Sequence, residues 1–155
     1  MRRRFTIIAV IVVVGAAVAI TAALATPPRG LIPTLFARGT LTTPVRANAD
    51  GVVLRTDHTT DHAVQKIVLT PGASSGWHRH PGVVLFTVAS GTIAAYDSHC
   101  RRETLTVGQS DWQSGTEMDL VRNETAHDAV LYVTYIIPTG APLRIDTPNP
   151  GCAVD

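Results

Sequence analysis

The sequence predicts an all-β domain, a sandwich or barrel of short strands, preceded by an N-terminal hydrophobic segment. From Val45 onward, short runs rich in Val, Ile, Thr and Tyr alternate with turn dipeptides such as Pro71-Gly72 and Ser90-Gly91. Many short strands at regular spacing are typical of β-sandwiches and β-barrels. In addition, no stretch of this region shows the period of an amphipathic helix.

Residues 1–25 have the features of a signal peptide or a transmembrane anchor. Arg2–Arg4 form a basic start, and an uncharged apolar run continues to Leu24. Ala23-Leu24-Ala25 has the small-residue pattern of a cleavage site, yet the run is also long enough to span a bilayer. Both interpretations remain open. Because positive charge stays inside, we expect an extracytoplasmic domain, either secreted or anchored to the plasma membrane.

Proline and glycine divide the rest of the chain into three parts. Residues 26–44 contain several prolines, and their apolar residues follow no sustained period, which predicts a linker or an arm laid over the domain. We expect the barrel over residues 45–138 and an irregular C-terminal tail over residues 139–155. The predicted strands are Gly51–Thr56, Val64–Thr70, Trp77–His80, Val83–Ala89, Thr92–Asp97, Glu103–Val107, Met118–Asn123 and Ala129–Ile137.

The charge balance argues against nucleic acid as a partner. The chain has 13 basic and 12 acidic residues, and three of the basic ones are Arg2–Arg4. No basic run occurs after them, so we expect no nucleic-acid-binding surface. Contact with a membrane is expected only through the N-terminal segment, if that segment is not cleaved.

Two cysteines, Cys100 and Cys152, fit an oxidising compartment. We predict a disulfide between them, which would tie the tail to the middle of the domain. In the chain-entropy model such a bridge stabilises by roughly 4 kcal/mol. The alternative is a pair of free thiols. Their spacing is not that of a metal site.

His78 and His80 are candidate metal ligands. Successive side chains of a β-strand point to opposite faces, so these two imidazoles share one face and Arg79 takes the other. Two imidazoles on one face are half of a typical transition-metal site.

The surroundings of this pair resemble the first motif of the cupin family, G-x5-H-x-H-x3-E-x6-G. Gly72, His78, His80 and Gly91 stand at the matching positions. The position of the motif's Glu is occupied by Val84.

The second cupin motif, G-x5-P-x-G-x2-H-x3-N, is present only in part. Gly108 opens it and Asn123 closes it, whereas Ser114 stands at the Pro position and Asp119 at the His position. The resemblance covers roughly residues 50–138. It implies a cupin-type double-stranded β-helix, a jelly-roll barrel with a central pocket.

In the family, the four motif positions hold a divalent metal. Carried over position by position, this chain keeps His78 and His80 and offers Asp119 as a third ligand. Two imidazoles and one carboxylate suit non-haem Fe(II) and also accept Mn, Ni, Zn or Cu. Parity along the strand places Glu117 on the same face as Asp119, which makes Glu117 a candidate substitute ligand or a carboxylate beside the ligands.

Whether the chain is an enzyme stays open, because a fold does not imply a function. One hypothesis is a metal-dependent oxygenase or isomerase that acts on a small molecule in the barrel. The other is a metal-free, degenerate cupin that binds a small molecule, since two of the family's ligand types are missing. A third is a structural or interaction domain, and a homodimer would form through exposed sheet edges.

Overall fold

The computed structural model of the chain describes residues 24–155. This range contains twelve β-strands, and no helix in it is long and apolar enough to cross a membrane. The predicted signal or anchor lies outside the described residues, apart from its last two positions. The strands are β1 (Arg29–Leu41), β2 (Arg46–Ala49), β3 (Val52–Arg55), β4 (Thr60–Ser74), β5 (His78–Arg79), β6 (Val83–Ser90), β7 (Thr92–Asp97), β8 (Arg102–Thr106), β9 (Ser110–Ser114), β10 (Asp119–Arg122), β11 (Ala129–Pro138) and β12 (Ile145–Asp146).

Ten of the strands form one antiparallel sheet that curls into a nearly closed barrel. Neighbouring strands follow the order β12-β5-β10-β4-β11-β6-β9. β1 adds to β4, β7 adds to β10, and β8 pairs with β7. The remaining two strands, β2 and β3, form a separate hairpin. The predicted all-β barrel is therefore confirmed.

The pairing of β4 with β11 sets the middle of the barrel. The two strands stay in register from Ala129 opposite Leu69 to Pro138 opposite Thr60. Along β11, every second residue is buried, as expected for a strand with one face on the core. The inward side chains of both strands join those of β6, β7 and β10 in one hydrophobic cluster.

The sequence did not predict four of the twelve strands: β1, β2, β9 and β12. The predicted linker or arm contains β1, which pairs with β4 along most of its length. Pro33 and two register shifts interrupt its alternation, and alternation is the signal by which a strand is recognised. β9, with the sequence Ser-Asp-Trp-Gln-Ser, is mostly polar and lacks the composition of a typical strand.

The C-terminal tail folds back over β5. Its short strand β12 pairs with β5, and the Thr147 amide donates to the Trp77 carbonyl at 2.9 Å. The Trp77 side chain is fully buried and donates from Nε1 to the carbonyl of Val154 at 3.2 Å. The predicted disulfide between Cys100 and Cys152 is present, so the tail is held at several points.

A buried carboxylate, Asp61 on β4, joins three segments. It accepts hydrogen bonds from the Gly140 amide at 3.0 Å, from Thr40 Oγ1 at 2.7 Å and from Arg38 Nη2 at 2.6 Å. These bonds, led by the Gly140 amide, lower the pKa of Asp61 to about 2. Arg38 also donates to the carbonyl of Ala141, so β1, β4 and the turn after β11 are fixed together.

Candidate metal centre

His78, His80 and Asp119 form one buried group. Each offers a ligand atom, and these atoms all lie within 4.8 Å of one another. His78 opens the two-residue strand β5, His80 follows that strand, and Asp119 opens β10. The antiparallel pairing of β5 with β10 puts Asp119 opposite His78. Strand pairing thus brings together the three residues that the sequence singled out.

Backbone carbonyls hold both imidazoles through Nδ1. Nδ1 of His78 lies 3.0 Å from the Gly76 carbonyl, and Nδ1 of His80 lies 2.7 Å from the Leu143 carbonyl. Because a carbonyl oxygen only accepts, each Nδ1 carries a proton and each neutral ring keeps a lone pair on Nε2. Metal-ligating histidines are commonly oriented by such a bond.

Both histidines are neutral near pH 7. Burial, followed by the charge of Arg144, lowers the pKa of His78 to about 3. Burial also lowers the pKa of His80. The two rings are nearly perpendicular, and their centroids lie 4.9 Å apart. The pair therefore offers two uncharged nitrogen donors at one end of a cavity.

The Asp119 carboxylate is buried without a donor. Neither of its oxygens has a hydrogen-bond partner in the described part of the chain, and Oδ1 lies 3.4 Å from Nε2 of His78. Burial raises the pKa of Asp119 well above its usual range. An unpartnered buried carboxylate is costly, and a divalent cation would satisfy it. The donor set therefore fits a transition metal.

Neither Glu117 nor Val84 joins this group. Glu117 is exposed and lies between the turn at Gly115-Thr116 and β10, so the strand alternation assumed from the sequence does not reach it. Val84, at the position of the cupin Glu, is 1% exposed and belongs to the hydrophobic core. It pairs across strands with Tyr135, whose ring centroid lies 5.8 Å from that of His80.

Two cavities meet at the group. The first has a volume of about 330 Å³ and is lined by both histidines, while the second, of about 650 Å³, is lined by Asp119. In the first cavity, the hydroxyl of Tyr135 donates to Oε1 of Gln65 at 2.7 Å. Burial raises the pKa of Tyr135 to about 12, so this phenol keeps its proton at neutral pH.

Arg144 is a site residue that the sequence did not reveal. It lies in the predicted irregular tail and belongs to no motif. Its Nη2 donates to the Ser75 carbonyl and its Nε donates to Oδ1 of Asp146, both at 2.8 Å. The tail therefore supplies both a cation and the Leu143 carbonyl that orients His80.

No protein-family model matches the chain, and no curated protein matches it. Among solved structures, one match is an uncharacterized conserved protein with a double-stranded β-helix domain from Klebsiella pneumoniae. It has 20% identity and a TM-score of 0.50, over 67% of this chain and 84% of that chain. The Cupin_2 domain of an XRE-family transcriptional regulator from Enterobacter cloacae has 16% identity and a TM-score of 0.46, over 70% of this chain and 97% of that one.

An oxalate oxidase matches at 15% identity and a TM-score of 0.43, over 50% of this chain. The matched part spans 46% of the oxidase, less than half of its length. At such identities the likeness concerns the fold alone. With its antiparallel, nearly closed barrel, the chain has a double-stranded β-helix fold.

Proposed function

We propose that the chain binds one divalent transition metal ion, Fe, Mn, Ni, Zn or Cu, through His78, His80 and Asp119. We further propose that a small molecule binds in the adjoining cavity of about 330 Å³. The observation that carries this proposal is the Asp119 carboxylate, which has no hydrogen-bond donor. Beside it stand two imidazoles whose Nδ1 protons are already engaged by carbonyls.

A metal ion held by three protein ligands has open coordination positions and supplies Lewis-acid or, as Fe(II), redox chemistry. An oxygenase or an isomerase of a small molecule is the reaction class that we propose. The chain's own residues orient the site: carbonyls fix the two rings, and mostly apolar side chains line the adjoining cavity. The hydroxyl of Tyr135, held by Gln65, keeps a proton at the cavity wall.

A second candidate is a metal-free module that binds a small molecule in the same cavity. Val84 favours it, because an apolar, buried side chain stands at the position of the cupin Glu. In that case, Asp119 would be protonated, as its raised pKa allows. This candidate requires no metal for ligand binding.

Metal content decides between the two candidates. The full chain would be purified, reconstituted with Fe(II), Mn(II), Ni(II), Zn(II) or Cu(II), and assayed for bound metal beside Asp119→Asn. We expect close to one ion per chain, and at least tenfold weaker binding in Asp119→Asn. Asp111→Asn is the matched control, because Asp111 lines the second cavity outside the group. Absence of stoichiometric metal in every reconstitution would favour the metal-free module.

We also propose that the domain is extracytoplasmic. The basic and apolar N-terminus supports this, as does the Cys100–Cys152 disulfide, a bond typical of oxidising compartments. The N-terminal sequence of the chain recovered from fractionated cells tests it. A chain that begins at Thr26 outside the membrane would be a secreted protein, and an intact chain in the membrane fraction would be an anchored one. An intact chain in the cytosol would overturn the proposal.

A further inference from the structure

The side of β10 opposite the metal group packs against the C-terminal tail. Leu120, which follows Asp119 on β10, is fully buried and points to the opposite face of the strand. It forms a second hydrophobic cluster with Trp77, the residue before His78, and with Cys152 of the tail. One half of the disulfide therefore packs against the sequence neighbours of two candidate ligands.

The disulfide also spans the strands that carry these ligands. Asp119 on β10 stands opposite His78 of β5 on one side and opposite Asp97 of β7 on the other, and β12 pairs with the other side of β5. Cys100 lies in the turn after β7, where its amide donates to the Asp97 carbonyl at 2.9 Å, and Cys152 follows β12. The bridge thus links the two outer strands of the row β12-β5-β10-β7 across the two inner strands.

Apart from the bridge, only noncovalent contacts hold the tail in place. β12 is two residues long, and the two prolines that follow it have no N–H to donate. The tail supplies the Leu143 carbonyl, 2.7 Å from Nδ1 of His80. By contrast, the carbonyl that orients His78 belongs to Gly76, outside the tail. Loss of the bridge should therefore affect one imidazole and spare the other.

The bridge is open to a reductant at one end. Cys100 is exposed, whereas Cys152 is 8% exposed. Cys100 also has a φ of 63°, a left-handed conformation that residues other than glycine rarely adopt, so opening the bridge would let this turn relax. A thiolate can attack Sγ of Cys100 and release Cys152 as a thiolate, and a second thiol then frees Cys100. In total, two external thiols give two electrons and two protons and become a disulfide, and both cysteines end as thiols.

We propose that the Cys100–Cys152 disulfide positions His80 for metal binding, so that the affinity of the site for a divalent metal depends on the redox state of the chain. With the bridge formed, the tail holds Nδ1 of His80 and leaves Nε2 free for the ion. With the bridge reduced, that ring can rotate and change tautomer, and loss of such a supporting bond typically weakens metal binding about 10- to 100-fold. This dependence rests on the proposed metal site, and it would confine tight metal binding to an oxidising compartment.

The test compares the parent chain with Cys100→Ser/Cys152→Ser, which cannot form the bridge and needs no reductant. Chelator competition measures the affinities for Zn(II) and Mn(II), and far-UV circular dichroism checks that the barrel persists. Val88→Ala is the control for lost stability, because Val88 is fully buried in the main hydrophobic cluster and not in the one that contains Cys152. Long-range proton–nitrogen NMR spectra of the metal-free chains report the tautomers of His78 and His80.

We expect the double Ser variant to bind both metals at least about tenfold more weakly than the parent, and Val88→Ala to melt lower yet bind them like the parent. His78 should keep its proton on Nδ1 in every chain, whereas His80 should lose this single tautomer only in the double variant. Equal affinities for parent and double variant, or an unchanged His80 tautomer, would overturn this proposal and leave the proposed metal site standing. A parent chain that binds no metal would overturn the proposed function, and redox-dependent affinity with it.

A second measurement does not need the double variant to fold. The parent chain is equilibrated in buffers of reduced and oxidised glutathione, with and without saturating Mn(II), and its free thiols are counted after alkylation. Because coupling between two binding or reaction equilibria is reciprocal, bound metal should make the bridge harder to reduce by the same factor. A reduction midpoint that Mn(II) leaves unchanged would also overturn the proposal.

Discussion

The carboxylate of Asp119 faces the imidazole of His78 across two paired strands, with Oδ1 3.4 Å from Nε2. The register of β5 with β10 sets this contact, since a slip of one residue would turn Asp119 to the opposite face. Both side chains are buried, and only the histidine has a hydrogen bond, to the Gly76 carbonyl. In the metal-free chain, the unpartnered carboxylate lowers the stability of the fold. The same carboxylate is available to bind a cation.

Adding a fourth ligand should strengthen metal binding. Val84 is buried on the inner side of β6, opposite Tyr135. We expect Val84→Glu to raise metal affinity at least tenfold and to destabilise the metal-free chain by about 2 kcal/mol or more, because it buries an unpaired carboxyl group. Chelator competition and denaturant unfolding measure the two effects. Val84→Gln, similar in size but uncharged, is the control, and an equal affinity for both variants would contradict the placement of the metal.

Removing the charge of Asp119 should stabilise the metal-free chain. Since the folded chain raises the pKa of this carboxyl, the protonated form is favoured in the fold, and stability falls as pH rises above the usual carboxyl range. We expect Asp119→Asn to exceed the parent by about 1–3 kcal/mol in free energy of unfolding at pH 7. Near pH 4 the two should be alike. An Asp119→Asn chain that is less stable at neutral pH would show that the carboxylate has a stabilising partner.

Asp61 should give the opposite pH dependence. Its folded pKa of about 2 lies below the ordinary value of 3.8, so its stabilisation is present above pH 4 and is lost as pH falls towards 2. We expect Asp61→Asn to melt well below the parent at pH 7, and the gap to close between pH 4 and pH 2. Asp57→Asn is the control, because Asp57 forms only exposed ion pairs. A difference in melting temperature between Asp61→Asn and the parent that stays constant with pH would contradict the lowered pKa of Asp61.

Reduction of the Cys100–Cys152 disulfide should loosen the tail. Because the two cysteines stand 52 positions apart in sequence, the bridge contributes about 4 kcal/mol in the chain-entropy model, so we expect a clearly lower melting temperature in reductant. In a Trp112→Phe background, the emission of Trp77 should shift to the red as its contact with Val154 is lost. The same chain with both cysteines changed to Ser should not respond to reductant. An unchanged melting temperature with titrated free thiols would refute this prediction.

The residues that could be predicted are those whose role follows from local pattern. The strands β4 and β11 are rich in β-branched residues, and the alternation of strands puts His78 and His80 on one face. Asp119 was found through its motif position. By contrast, β1 escapes prediction because Pro33 and two register shifts hide its alternation. Glu117 precedes β10, so strand alternation does not place it, although it lines the same cavity as Asp119.

The remaining site residues depend on contacts between distant parts of the chain. Asp61 belongs to no motif in the sequence, and partners from β1 and from the turn after β11 bury it. Arg144 comes to the cavity only because the tail returns over β5. Such long-range contacts leave no periodic trace in the sequence, so neither residue's role could be inferred from its neighbours.

The return of the tail over β5 also sets the order in which the site is completed during synthesis. Leu143, whose carbonyl orients His80, follows the two histidines by more than sixty residues in the sequence. The disulfide can form only after Cys152 has been synthesised. A nascent chain would therefore expose two unsupported imidazoles while most of the barrel is being made. The three candidate ligands can reach their final arrangement only once nearly the whole chain is available, so any metal ion would bind late in folding.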